Sequence, residues 1–248
     1  MSVLLLALVT GAVIGLALGA LGGGGSVLAV PALIYLLGFT PAAATTASLI
    51  IVTATSATAL YTHAISGNVR WKTGALFAAA GIVPAIVAAT LAARLPQAML
   101  TAAFAAIAAL AALKMLKPGD RDPQPRQVRP ARAAGAGAGL GAVTGFLGVG
   151  GGFLAVPALV SILGLRMRAA VGTSLLVITV NSLAALAARA GTSTPVRWAV
   201  IAPFVGTAIL GAWDGKRLAA KISGPALQRI FAIVLLVVAA LMLADAFH

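Results

Sequence analysis

The sequence predicts an all-α transmembrane protein made of two tandem homologous repeats. Three observations predict it. Only 8% of the 248 residues are charged and 61% are hydrophobic, whereas a soluble domain carries about 25% charge. Uncharged runs recur along the chain, each near the ~20 residues that cross hydrocarbon as a helix. Gly-rich segments followed by Val-Pro occur twice, and Pro31 and Pro157 set an offset of 126 residues.

A soluble chain of this length could not bury so much apolar surface, and mean hydropathy is +1.10. A β-barrel would alternate apolar and polar residues, and these runs do not. The absence of cysteine excludes disulfides, thiolate ligands and iron–sulfur clusters. The net charge is +13, from 17 Lys+Arg against four carboxylates. Its basic residues sit between apolar runs and lack aromatic interleaving, so they read as the positive-inside rule and not as a nucleic-acid surface. The first apolar run lacks the basic n-region of a signal peptide and belongs to the repeat.

The register holds beyond the prolines. Gly11, Gly15 and Gly19 map onto Gly137, Gly141 and Gly145, Gly38 onto Gly164, Ser48 onto Ser174, Thr53 onto Thr179 and Ser56 onto Ser182. One inserted residue later, Trp71 meets Trp198 and Phe104 meets Phe231. Repeat one is 1–116 and repeat two 133–248, joined by a basic Pro-rich connector at 117–132. Helices are expected near 2–21, 27–37, 42–65, 72–93 and 97–116, then near 133–147, 153–164, 168–189, 197–215 and 225–246. The second segment of each repeat is short and carries Pro31 or Pro157, which marks a half-helix or re-entrant piece.

The connector's charge places it in the cytoplasm. Five passes or half-passes per repeat then put Arg70 and Lys72, Arg166 and Arg168, and a loop with Lys216, Arg217 and Lys221 inside, leaving Arg94, Arg189 and Arg197 outside. An odd count inverts one repeat relative to the other.

The glycines at Gly11, Gly15 and Gly19, and at Gly137, Gly141 and Gly145, share a helix face and read first as close helix packing. The runs Gly22, Gly23, Gly24, Gly25 and Gly148, Gly150, Gly151, Gly152 differ. Consecutive glycines weaken a helix by roughly 1 kcal/mol each, and broken backbone at membrane depth is tolerated where it is buried or lines a polar cavity. Matching breaks in two repeats are the sequence mark of a transporter's binding site. A helix restarting at Ser26 or Phe153 offers free N–H groups and a positive dipole end to an anion. The competing reading is a tight turn between packed helices. No P-loop Lys-Ser/Thr follows the glycines, and no βαβ unit surrounds them.

The third helix of each repeat opens with small polar residues: Thr45, Thr46 and Ser48, and Thr173 and Ser174. Thr53, Thr55 and Ser56 follow in one, and Thr179, Asn181 and Ser182 in the other. Such hydroxyls either bond back to the i−4 carbonyl or donate to an oxyanion. Asn181, the most polar neutral side chain in a span, is expected on the pathway. His63 is the titrating candidate if transport is proton-coupled; its competing reading, like that of Asp214, is an interface residue. The chain has no glutamate, and Asp120 and Asp122 fall in the connector. A carboxylate relay or an oxygen-rich cation cage is therefore disfavoured, and an anion favoured. No cofactor or metal is expected.

From Gly23-Gly24-Gly25 to Val30-Pro31, and from Gly150-Gly151-Gly152 to Val156-Pro157, the chain resembles the TauE/SafE sulfite exporter family. The similarity extends to Gly38, Gly164 and the Ser/Thr-rich helix starts, and so through both halves. The resemblance implies a multi-pass permease of the inner membrane that moves a sulfur oxyanion or organosulfonate of the sulfite, thiosulfate or sulfoacetate type. Repeat one departs from repeat two at Gly23 and Ser26, where Val149 and Gly152 stand. Alternating access about the two glycine breaks is the leading mechanism. The alternatives are an anion channel, a non-transporting scaffold, and an intramembrane Ser26–His63 hydrolase, which gains nothing from the duplication.

Overall fold

The computed structural model describes residues 3–92, 97–116, 129–147, 152–188 and 197–246. Ten α-helices are found among them: α1 (Val3–Leu21), α2 (Gly24–Pro31), α3 (Pro41–Ile65), α4 (Trp71–Ala92), α5 (Gln97–Leu116), α6 (Pro130–Leu147), α7 (Gly152–Ser161), α8 (Met167–Ala188), α9 (Trp198–Lys221) and α10 (Gly224–Ala246). A π-helical turn, Ala32–Leu36, continues α2. No strand occurs among the described residues. Six helices (α1, α3, α4, α8, α9 and α10) are long and apolar enough to cross a bilayer. Their outward faces carry exposed Val9, Val13, Val83, Val87, Leu210 and Leu241, as a lipid-facing surface does. Trp71 and Trp198 are exposed at the first residues of α4 and α9, where amphipathic rings favour the headgroup level.

Several boundaries differ from the sequence expectation. The second helix starts at Gly24 and not near 27, so Gly24, Gly25 and Ser26 form its first turn and the break narrows to Gly22 and Gly23. Pro31 ends the regular part of this helix. It has no N–H to donate, and the backbone widens into the π turn directly after it. The sixth helix starts at Pro130, inside the expected connector, because proline's missing N–H costs nothing in a first turn. The ninth helix runs on to Lys221, so Lys216, Arg217 and Lys221 lie on a helix and not in a loop. Asp214 and Arg217 pair one turn apart on its exposed face at 3.5 Å. The guanidinium of Arg168 donates to Ala220 O at 3.1 Å, which satisfies a terminal carbonyl. Gly38 and Gly164 take φ of +62° and +67° and close the two proline-bearing segments. The Phe39 and Leu165 amides reach back to Leu33 O and Leu159 O at 3.0 Å.

The packing is reciprocal. The most extensive contacts are α1 with α9 and α4 with α6. In each pair, small residues bring backbones together. Gly11, Gly15 and Gly19 lie against Phe204, Ala208 and Ala212 in ascending order, so α1 and α9 run parallel. Gly137 and Gly141 lie against Phe77 and Gly81 in the same sense, so α4 and α6 run parallel. A Cβ at any of these glycines on α1 or α6 would enter the neighbour's backbone.

Side chains fix which helix ends share a side. Arg168, at the start of α8, reaches Ala220 O at the end of α9. The Arg70 amide, just before α4, donates to Thr173 Oγ1 near the start of α8 at 3.1 Å. Gln228 of α10 donates to Met115 O at the end of α5, 2.7 Å away. One end of the bundle thus gathers the starts of α4, α8 and α10 with the ends of α5 and α9. At the other end, the Arg197 guanidinium donates to Leu37 O at 2.8 Å and stacks 4.1 Å over the Phe39 ring.

Candidate functional site

The site grows from α3 and α8, the two helices whose interiors carry hydroxyls and an amide. They pack against each other along their lengths. At their crossing the Thr179 and Ser56 hydroxyls lie 2.9 Å apart in hydrogen-bond contact, both buried. Thr179 also reaches Leu175 O at 2.8 Å and Ser56 reaches Thr53 O at 3.3 Å. A hydroxyl carries one hydrogen, so this chain of acceptors offers more places than it has protons, and its direction can switch.

The register pairs Ser56 with Ser182 and Thr179 with Thr53. The twin bond is not made. Thr53 Oγ1 is buried without a partner, and so is Asn181 Oδ1. A buried polar atom left unmet costs about 1–3 kcal/mol. A carboxamide can also turn its NH2 to the same position, so Asn181 can accept or donate there. Thr55, by contrast, is fully buried and back-bonded to Ile51 O at 2.6 Å.

Gly22 brings the helix break against α8. Its φ is +73°, a backbone that side chains rarely adopt. A Cβ there would fall 2.5 Å from Ser174 Oγ, and 3.3 Å from Val171 O and Val156 Cγ2. The break in the first half of the chain therefore touches α7 and α8 in the second. The Gly22 amide bonds Leu18 O at 2.8 Å, and Gly23 caps α2. From the pairing of Gly19 with Ala212, α1 stops about two turns short of the end of α9. Its break lies inside the bundle.

Thr45, Thr46 and Ser48 occupy the first turns of α3, where Ser48 donates back to Thr45 O at 2.9 Å. Thr173 is fully buried and accepts the Arg70 amide, and Ser174 donates to Val171 O at 2.8 Å. These residues fall on the first turns of two different helices, apart from the hydroxyls of Thr53, Ser56 and Thr179 further along. Gly148, Gly150 and Gly151 lie outside the described residues, Gly152 opens α7, Pro157 lies within it, and Gly145 lies in α6.

His63 lies in the last turn of α3, packed inside the bundle. It is 4% exposed, and Nε2 sits 3.2 Å from Gly19 O in the last turn of α1. The ring is thus turned onto a backbone carbonyl and not onto a serine hydroxyl. Its Nδ1 has no partner. Next to it, the Lys216 ammonium donates to Thr62 O at 2.5 Å. Thr53, Ser56, Thr179 and Ser182 carry the register in sequence, but only the crossing of the helices singles them out as a group. No cluster of three metal-ligating side chains occurs among the described residues.

The model of the sulfite exporter TauE/SafE family matches residues 7–242. A protein of Xylella fastidiosa (strain 9a5c) named "Probable membrane transporter protein" is 33% identical over 238 residues, covering 93% of this chain and 91% of its own. Its counterpart from strain Temecula1 / ATCC 700964, with the same name, is 30% identical over the same shares. No solved structure gives a significant match. A match over nearly the whole length, by family and by relatives alike, places both halves of the molecule in one lineage: the chain belongs to the sulfite exporter TauE/SafE family.

Proposed function

We propose that this chain is a secondary transporter that carries a sulfur oxyanion or organosulfonate across the inner membrane by alternating access. The observation that carries the reading is the polar crossing of α3 and α8. Thr53 Oγ1, one turn before Ser56 on α3, is buried without a partner beside the bonded Ser56–Thr179 pair, and Asn181 Oδ1 is buried and unmet elsewhere on α8. Lipid-facing helices do not keep unmet polar atoms in their interior unless something fills them. The family's own description, sulfite exporter, supports the substrate class, and the relatives' names support transport.

Inverted repeats support the mechanism. The start of α4 and the end of α9 share one end of the bundle, through the start of α8. Since α6 runs parallel to α4 and α1 parallel to α9, the start of α6 and the end of α1 share that end too. Helices α1 and α6, which the register equates, then cross in opposite senses. This supports repeats at 1–116 and 133–248 of inverted topology, joined by the cytoplasmic connector 117–132. The unequal twins Ser56–Thr179 and Ser182–Thr53 are what one of two alternating states predicts, because exchange of states exchanges the repeats' roles.

The test is flux in proteoliposomes with labelled sulfite, thiosulfate or a sulfonate. Saturable uptake with counter-flow, reduced by Asn181→Leu in folded, inserted protein, is expected. Unitary currents instead of counter-flow would make the chain a channel, and no flux of any sulfur anion would remove the substrate class.

A further inference from the structure

We propose that the Lys216 ammonium and Nδ1 of His63 form a docking point at which the transported anion and a proton bind together. The proposal rests on the transport reading above and adds its coupling. A carbonyl only accepts, so the bond to Gly19 O means that Nε2 of His63 carries the ring hydrogen. Nδ1 then holds a lone pair, buried and without a donor. A proton is what that atom lacks.

Lys216 lies beside it. It is half-buried on α9, and its ammonium bonds the carbonyl of Thr62, the residue before His63. Among the described residues no carboxylate pairs with it. The one described ion pair, Asp214 with Arg217, faces outward on the same helix. Helices α1 and α2, which also pack on α3, contribute no ionisable side chain. The π turn contributes only Tyr35, which is exposed. Arg168 of α8 is spent on Ala220 O and Ile222 O, and Lys221 is exposed at the end of α9.

A proton on Nδ1 would therefore create a second cation next to Lys216 with no anion among the described residues to offset it. An oxyanion supplies that charge. Each ligand favours the other, and the preference is reciprocal. The only bond made or broken is N–H at Nδ1. The proton comes from water on the side where the point is open and leaves with the anion on the other. Because Nε2 stays on Gly19 O, in the last turn before the Gly22 break, loading the ring also acts on the break itself.

The chain has two histidines, His63 and His248, so nitrogen-15 resonance on histidine-labelled protein, with His248→Ala for assignment, reads His63 directly. The expected spectrum is the Nε2–H tautomer alone, converting to a ring protonated on both nitrogens when sulfite or thiosulfate is added. Lys216→Gln should raise the anion concentration needed by about tenfold, the loss of one charge-assisted contact. Lys216→Arg, which keeps the charge, should restore it and controls for folding. In proteoliposomes, the ratio of flux with and without an inward proton gradient should fall to one in His63→Gln. Transport with no response at His63 overturns the docking point and leaves the transport reading standing. A response at His63 with no transport of any sulfur anion does the reverse, and neither signal overturns both.

Discussion

Ser56 of α3 and Thr179 of α8 stand 123 positions apart in the chain and 2.9 Å apart at their hydroxyls. They join the two halves of the molecule where α3 and α8 bury their hydroxyls. Removing the contact tests what it is for. Thr179→Val keeps the shape and deletes the hydroxyl. Hydrogen bonds between membrane helices average ~0.6 kcal/mol, so thermal unfolding in detergent should barely move. Flux should fall by about fivefold, the worth of one ~1 kcal/mol hydrogen bond. A variant that unfolds early while its remaining folded fraction transports normally would make the pair structural.

Gly22 is held by two separate constraints, and they can be separated. Gly22→Ala should destabilise the protein by roughly 1–2 kcal/mol for the left-handed backbone alone, with an added cost because its Cβ meets Ser174 Oγ at 2.5 Å. Adding Ser174→Ala should recover the second part and leave the first. Unfolding temperatures of the two single variants and the double variant give the answer, and equal values for Gly22→Ala with and without Ser174 would mean that the loop moves aside.

Two glycines on α6, two residues apart, should behave oppositely. A Cβ at Gly141 enters the backbone of Gly81, whereas a Cβ at Gly139 meets nothing within 4 Å. Gly141→Val should abolish a monodisperse detergent peak in size-exclusion chromatography. Gly139→Ala should be neutral or slightly stabilising, by up to about 1 kcal/mol from helix propensity. The same severity is expected of Gly15→Val on α1, which faces Ala208.

Arg197 should not be replaceable by lysine. Its guanidinium bonds Leu37 O and stacks on Phe39 at once, and a lysine cannot do both in that geometry. Arg197→Lys should cost about 1–2 kcal/mol and loosen the end of the π turn. A cysteine introduced at exposed Tyr35 would report this as faster labelling, and unchanged labelling would mean that the turn holds without the arginine.

Much of this architecture was legible in the sequence because the signals were local or periodic. The apolar runs mark the helices, and the 126-residue register carries through glycine and proline and, one inserted residue later, through tryptophan. The glycine faces of α1 and α6 were readable from spacing, but not that they meet α9 and α4, which depends on the tertiary pairing. The end of α9 is hidden in the sequence because Lys216, Arg217 and Lys221 look like a loop, yet a helix tolerates charge once its face leaves the core. The start of α2 is hidden in the sequence because glycine propensity argues against helix at Gly24 and Gly25, where the helix nonetheless begins. The site was half visible. Asn181 stood out by polarity alone, whereas the tie of His63 to Gly19, across 44 positions, has no local sign.

The parallel embrace of α1 with α9 bears on the order in which the protein is made. Helix α1 ends at residue 21 and α9 begins at 198. At 5–20 residues per second, the ribosome delivers the partner roughly 10–35 s after α1 is complete. Helices α4 and α6 emerge close together, so their seam can close early. During synthesis, then, Gly11, Gly15 and Gly19 emerge well before the helix they pack against, and that seam closes only once α9 has been made. A truncated chain ending before residue 198 would keep its first seam and leave α1 without its partner, a ready target for the membrane's quality-control proteases.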